Sequence, residues 1–361
     1  MIPLAWDEVE ALGLGRLEGR PADGVIRRVH DDSREARAGD LFVALNTGVQ
    51  YVAEALSRGA GTLVPDDQEA ALATLAGLVR GRSHAQVVAV VGSTGKTTTK
   101  DALGALCAAV TPTTAAEASR NNELGLPLTV LRLEPDTRVL VTEMGMRGLG
   151  QIAELCAVAR PTLALVTSIG PEHLELVGTI EDVARANAEA LEALPAGGIA
   201  VVPGDEPLLE PYLRPDLDVR RFDRASLSRA GTGSDRRTRW HFEGAWGGVE
   251  LELPFDQRHL AENVLAALTA YDALGLPLER APEGARAITL SRWRGEVREL
   301  RGGGLVVNDA YNANPTSMRA ALRDLAERAG ERRRVAILVK ASRAVGLEGI
   351  PALIEKHSRA W

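Results

Sequence analysis

Cysteine is scarce in this 361-residue chain, which holds only Cys107 and Cys156. Both fall in apolar helical patterns, which favours buried thiols over a disulfide or a metal site. Long apolar runs are also missing: no stretch approaches the roughly 20 residues of a membrane span. The opening MIPLAWDEVEALG carries acids and has no basic start followed by an apolar run, so it does not read as a secretion signal. There is no basic surplus either. Forty-two Lys and Arg stand against 49 Asp and Glu, a formal charge of −7, which argues against a nucleic-acid partner held on a large basic face. No internal repeat or low-complexity tract is present. What remains is 45 % apolar and 25 % charged residues, the balance of a soluble globular protein. A cytoplasmic enzyme without membrane insertion is expected, as a monomer. The length exceeds one ordinary core and predicts two or three domains.

Three regions emerge along the chain. Residues 1–82 mix short strands (41–45 and 61–64) with a helix at 52–58. Gly81-Arg82-Ser83-His84 reads as a linker. From Gln86 strands and helices alternate. Strands are expected at 87–91, 139–142, 163–167 and 199–202, and helices at 96–109, 151–159 and 180–194. That is the pattern of a doubly wound α/β sheet. Residues 215–257 read as short extended pieces with Gly-rich turns, and 259–274 as helix. A third region begins near Arg294, with strands at 305–308 and 334–339 and helices at 317–329 and 349–357. At about 65 residues it is small for an independent α/β domain.

The sharpest local signal is VVAVVGSTGKTT at residues 87–98. A β-branched strand, a tight turn and a helix start follow one another. In such a turn backbone N–H groups point inward at a helix N-terminus and hold phosphate oxygens. Gly92 and Gly95 allow the close approach that a Cβ would block. Lys96 is placed to meet β/γ-phosphates, and the Thr97 hydroxyl to bind Mg2+. The loop is the short GxxGKT form, with Val90 where the general pattern has its first glycine. A Gly-rich turn with an incidental lysine is the alternative, and the strand–turn–helix setting weighs against it.

GSTGKTTTK resembles the ATP loop of the Mur ligases. Further segments resemble motifs of that family in the same order. These are NNELGLPLTVL (121–131), TEMG (142–145), TSIGPEHLE (167–175, against T-N-I-x-x-A-H-L-E), NDAYNANPTSM (308–318) and KASR (340–343, against K-G-S-R). DSREARAGDLFVAL (32–45) resembles the nucleotide-sugar domain. YNANP, NNELG and KASR together resemble the MurF branch. The resemblance implies an α/β, three-domain Mur ligase architecture: a UDP-sugar domain (1–82), a central P-loop doubly wound sheet (83–293) and a shortened C-terminal Rossmann-like domain (294–361). It implies ATP and Mg2+ as cofactors, with UDP-N-acetylmuramoyl-tripeptide and D-alanyl-D-alanine as substrates joined through an acyl phosphate in peptidoglycan precursor synthesis. Charge then builds on phosphoryl oxygens, so the site needs lysine, magnesium and aimed dipoles more than a nucleophile of its own.

Residue by residue, the resemblance implies Lys96, Glu143 and His173 as the catalytic set. ATP falls to Gly92, Ser93, Thr94, Gly95, Lys96, Thr97, Thr98, Asn263, Arg294 and Asp309. Metal falls to Thr97, Glu143 and His173. The substrates fall to Ser33, Arg34, Asn121, Asn122, Asn312, Asn314, Lys340, Ser342 and Arg343. Plainer readings stand beside several of these. A strand-end acid such as Glu143 can make a surface pair, a lone histidine is more often structural, and Asn121 and Asn122 can cap a turn.

Four features depart from the family pattern. Asn187 stands where the family usually has a lysine that is carbamylated to bridge metal. Asn cannot be carbamylated, and its amide oxygen is a neutral, weaker ligand. Glu189, two residues on, does not share the Asn187 face. LNTGVQY (45–51) lacks the family's Asp and His. Trp293 fills the Gly position of G-R-x-E before Arg294. The strand at 335–338 runs straight into Lys340, as if an internal segment were absent. These departures keep a second reading open, a catalytically impaired paralogue that binds nucleotide or UDP-sugar. A folylpolyglutamate or cyanophycin type of ligase is a third, disfavoured by YNANP and by the 32–45 segment.

Overall fold

The computed structural model describes residues 1–299, 305–309, 311 and 315–329. At its centre lies a six-stranded parallel sheet. Its order is Asp218–Phe222, Ile199–Pro203, Leu163–Val166, Gln86–Val91, Val139–Glu143 and Thr113–Ala115. The sequence reading located four of these strands to within a residue or two. It missed the edge strands, which are short or half exposed and lack a clear apolar run.

Both faces of this sheet are covered over its four inner strands, which are largely apolar. Val87, Ala89 and Val91 enter one core, with the helices Gln68–Gly81, Gly125–Val130, Gln151–Ala159 and Ile180–Glu192. Val88 and Val90 enter the other, with Lys96–Ala108, Arg258–Ala273 and Ala281–Ala287. That alternation is the two-residue period of a strand. An antiparallel sheet of Leu227–Thr232, Thr238–Gly244 and Gly247–Leu253 closes the second core through Leu227, Trp240, Phe242 and Leu251. It occupies the stretch read from sequence as short extended pieces.

The N-terminal region carries a four-stranded sheet in the order Gly15–Glu18, Gly61–Pro65, Leu41–Val43, Val29–His30. It is joined to the centre by the helix Gln68–Gly81, which the sequence reading did not identify. Asp67 caps that helix by accepting from Ala70 N–H at 3.0 Å. Ala71, Leu72, Leu75, Ala76 and Val79 bury one face in the core shared with the central helices. Arg80 then donates to the carbonyls of Ala159 (2.7 Å) and Arg160 (3.1 Å), so the exit from the helix is tied to the central sheet layer. In the third region Glu296–Glu299 pairs antiparallel with Leu305–Asn308, and a helix covers Pro315–Ala329. The strand expected at 334–339 and the helix expected at 349–357 lie outside the described residues.

Chain order fixes where a ligand can sit. From Gln86–Val91 the chain goes out to Thr113–Ala115, returns to Val139–Glu143, then crosses to Leu163–Val166 on the other side. The direction reverses at Gln86–Val91, and a crevice opens there at the carboxyl ends of the strands.

Candidate active site

The loop after Val91 occupies that crevice. Gly92 has φ +122°, and a Cβ there would stand 2.3 Å from Thr167 Oγ1. Gly95 has φ +84°, and a Cβ there would meet Asn263 Oδ1 at 2.2 Å. Both positions therefore require glycine by space as well as by backbone angle. Neighbouring strand ends pin the loop from outside. Ser93 N–H donates to Ser168 O (2.8 Å), Thr94 N–H to Ser168 Oγ (3.1 Å), and the Thr167 hydroxyl to Thr94 O (2.6 Å). Gly170 N–H donates to Ser93 Oγ at 2.9 Å. Thr97 and Thr98 follow, both buried in the first turn of Lys96–Ala108.

Asn187 supplies the remaining anchor. It is 1 % exposed, accepts from Gly92 N–H at 2.7 Å through Oδ1, and donates through Nδ2 to Val183 O at 2.9 Å. The amide is therefore spent on the loop and on its own helix, and its oxygen is not aimed at a cation. Glu189 caps Gln151–Ala159 by accepting from Gly150 N–H (2.6 Å) and Ala153 N–H (3.0 Å). Both Glu189 carboxylate oxygens are thus taken up by backbone amides.

One cleft brings Ser93, Thr94, Gly95, Lys96 and Thr97 together with Asn121, Asn122, Glu143, His173 and Arg294. Lys96 Nζ donates to Gly92 O and lies 3.7 Å from Glu172 Oε2. Glu143 ends its strand; Oε1 accepts from Asn121 Nδ2 at 2.8 Å, while Oε2 is buried with no partner among the described residues. A buried carboxylate oxygen left without a donor is costly unless a cation completes it. With the Thr97 hydroxyl in the same cleft, these donors fit one hard divalent cation. Asn187 does not fit the part of a second-metal ligand. His173 is exposed in the cleft wall, with φ +48° at the start of Leu174–Val177.

Arg294 also lines the cleft. Its NH2 donates to Thr97 Oγ1 at 2.9 Å, its Nε is buried and unpartnered among the described residues, and its guanidinium lies 4.1 Å from the Tyr311 ring centroid. The Tyr311 hydroxyl is hydrogen-bonded to Ser119. Trp293, at the position where the family has glycine, holds φ +63°. Asp309 accepts from Gly295 N–H at 3.2 Å; burial pushes its carboxyl up, against the pull of His259 and Arg294. It is not among the residues that line the cleft.

The other expected residues fall as follows. Asn263 packs on Gly95. Asn122 lines the cleft but turns Oδ1 to Gly125 N–H (2.9 Å), the capping role that was its plainer reading. Ser33 and Arg34 do not line this cleft. Ser33 is buried and donates to Glu54 Oε2 at 3.0 Å, and Arg34 is paired with Asp32. Asn312, Asn314, Lys340, Ser342 and Arg343 lie outside the described residues. Sequence reasoning missed Glu172, Tyr311 and Ser119 as cleft residues. The first two stand inside the TSIGPEHLE and YNANP segments, so the segments held the signal although the residues were passed over.

A model of the Mur ligase middle domain matches residues 90–271. The chain belongs to the Mur ligase family. The UDP-N-acetylmuramoyl-tripeptide--D-alanyl-D-alanine ligase of Bacillus subtilis is 32 % identical over 328 residues, covering 82 % of this chain and 70 % of that protein. Among solved structures, MurF from Acinetobacter baumannii superposes with a TM-score of 0.76 at 27 % identity, covering 90 % of this chain and 76 % of the other. MurF from Thermotoga maritima in complex with ADP gives 0.70 at 28 %, covering 83 % and 74 %. Within the family the chain is of the MurF type, and it is an ATP-dependent ligase. It spans about three quarters of the length of these relatives.

Proposed function

We propose that this ligase adds D-alanyl-D-alanine to UDP-N-acetylmuramoyl-tripeptide, a step of peptidoglycan precursor synthesis carried out in the cytoplasm by a monomer. One observation carries the reading. Lys96 and Thr97, Glu143, His173 and Arg294 come from four separate segments and converge on one cleft at the carboxyl edge of the sheet. A phosphoryl-transfer site needs such a convergence, because charge spread over phosphoryl oxygens is stabilised by positioned donors and cations. The division into domains at residues 1–82, 83–293 and 294–361 belongs to the same proposal.

In the reaction a peptide carboxylate oxygen attacks the γ-phosphorus of ATP, giving an acyl phosphate and ADP. The dipeptide amine then attacks the acyl carbon, and phosphate leaves from the tetrahedral intermediate. The loop amides and Lys96 hold the phosphates. To do so, Lys96 exchanges Gly92 O and Glu172 for phosphoryl oxygens. Thr97 and Glu143 would hold Mg2+, with His173 beside them, and the ion supplies charge neutralisation at the phosphates. Arg294, already on Thr97, adds a second cation from the third region. Asn263 is assigned to the adenine side and Asp309 to the ribose. Asn121 orients Glu143. Ser33 and Arg34 are assigned to the nucleotide-sugar end, and Asn312, Asn314, Lys340, Ser342 and Arg343 to substrate.

The test is phosphate release from ATP. Release should require both the UDP-sugar tripeptide and D-alanyl-D-alanine, and no release with any amino substrate rejects the reading. ATP binding without turnover at saturating substrates would instead favour the impaired paralogue, the reading that Asn187 motivates.

A further inference from the structure

The helix that starts at Lys96 carries two layers of polar side chains one turn apart. Lys96 and Thr97 face the cleft. Lys100 and Asp101 stand four residues further on, on the same two faces. Lys100 is 1 % exposed, unusual for a lysine. Its ammonium lies 2.5 Å from Asp101 Oδ1 and donates to the carbonyls of Ala116 (2.7 Å) and Ala118 (3.0 Å). Asp101 Oδ2 accepts from both the N–H (3.0 Å) and the hydroxyl (2.8 Å) of Ser291. Every charge of the pair is thus directed at a particular partner, as a buried ion pair requires.

The two bound segments both lead into the lining of the cleft. Beyond Ala118 come Ser119, bonded to Tyr311, and Asn121, bonded to Glu143. Beyond Ser291 comes Arg294, which returns to Thr97 on the same helix. A core lysine–aspartate pair that served packing alone has no need to reach both of these segments. Replacing such a pair by apolar residues is often neutral or stabilising, so its burial alone is weak evidence of a stabilising role.

We propose that the buried Lys100–Asp101 pair positions the active site, fastening to one turn of the loop helix the two segments that carry Asn121 and Arg294. Asp101 acts through Ser291 on Arg294, and Lys100 acts through residues 116–118 on Asn121. The pair touches no substrate; both are positioning residues. The proposal rests on the ligase reading for its turnover assay, and the ATP-binding arm stands without it.

A double-variant cycle tests this. Asp101→Ala is combined with Arg294→Ala in the full chain, and the dissociation constant of ATP is measured by calorimetry beside kcat and KM. Displacing Arg294 should weaken ATP binding and kcat by on the order of tenfold or more in Asp101→Ala. It should cause little further loss once Arg294 is already gone. Asp101→Asn, which keeps an acceptor for Ser291, should recover part of the loss. Full multiplication of the two losses, or an unchanged Asp101→Ala, overturns the proposal. Should Asp101→Ala fail to fold, Ser291→Ala removes a single side-chain hydrogen bond at a half-buried site and gives the same cycle. A smaller loss that vanishes in the Arg294→Ala background supports the proposal, and an unchanged or multiplicative result overturns it. Wild-type protein that binds ATP without turnover would sink the ligase reading and leave the binding cycle intact.

Discussion

Replacing Asn187 by alanine asks whether that side chain anchors the phosphate loop. The substitution removes the acceptor held at 2.7 Å by Gly92 N–H. Val183 O, the other partner, lies one helical turn back and keeps the backbone N–H of residue 187, so little is lost there. The cost concentrates on Gly92, whose N–H is left buried and unpaired, about 1–3 kcal/mol. If all of that falls on the ordered loop, ATP binding weakens by on the order of ten- to a hundredfold. Urea unfolding and ATP titration of the same variant separate loss of global stability from loss of loop order. Asn187→Asp keeps an acceptor but loses the donor to Val183 and buries a carboxylate, so it should destabilise further. Unchanged ATP affinity in Asn187→Ala would refute the reasoning. So would an Asn187→Lys variant whose turnover rises and becomes dependent on bicarbonate, since that would make position 187 a metal bridge rather than a loop anchor.

Other outcomes follow from the same geometry. Gly95→Ala combines φ +84° with a Cβ 2.2 Å from Asn263 Oδ1 and should weaken ATP binding by about tenfold or more; adding Asn263→Ala should restore part of it, and no restoration would discount the clash. Glu143→Gln removes a buried carboxylate whose Oε2 has no partner among the described residues, so the nucleotide-free protein should melt higher while turnover falls and needs more Mg2+, whereas a lower melting point would show that Glu143 is already compensated. Burial pushes the Cys107 and Cys156 thiols from an ordinary 9.0 up to about 12. Between those values the unfolded chain releases protons that the native chain keeps, so stability should fall as pH rises from 9 towards 12. At neutral pH native protein should resist thiol reagents until unfolded, and fast labelling of both cysteines would contradict their placement.

The central sheet was legible because its strands are buried on both faces. Val87–Val91 and Leu163–Val166 carry apolar runs with no competing reading. Gln68–Gly81 was not recognised. Its apolar residues follow helical spacing, but it stands beside the supposed linker, and its buried face became meaningful only with the central helices in place. The loop glycines and Lys96 could be read from local pattern alone. The part played by Asn187 could not. The sequence showed only that a lysine was missing, while its hydrogen bond to Gly92 spans 95 positions of chain. Asn122 shows the reverse case. A motif pointed to substrate, while the plainer local chemistry of an asparagine at a turn accounts for the contact it makes.

The described parts of the third region are built against the central region. Gln257 donates to Gly295 O at 2.7 Å, Arg294 to Thr97 at 2.9 Å, and Tyr311 is bonded to Ser119. The 288–294 segment that leads into the region is held by Asp101. Three of these four attachments end on the loop helix or on the cleft wall. The contacts that hold these described parts are therefore largely those that bring Arg294 to Thr97. Opening the cleft would break contacts that also hold these parts, so site assembly and their local stability are coupled. Nucleotide that bridges the loop and Arg294 should then stabilise the third region more than it stabilises the N-terminal sheet, because only the former holds part of the site.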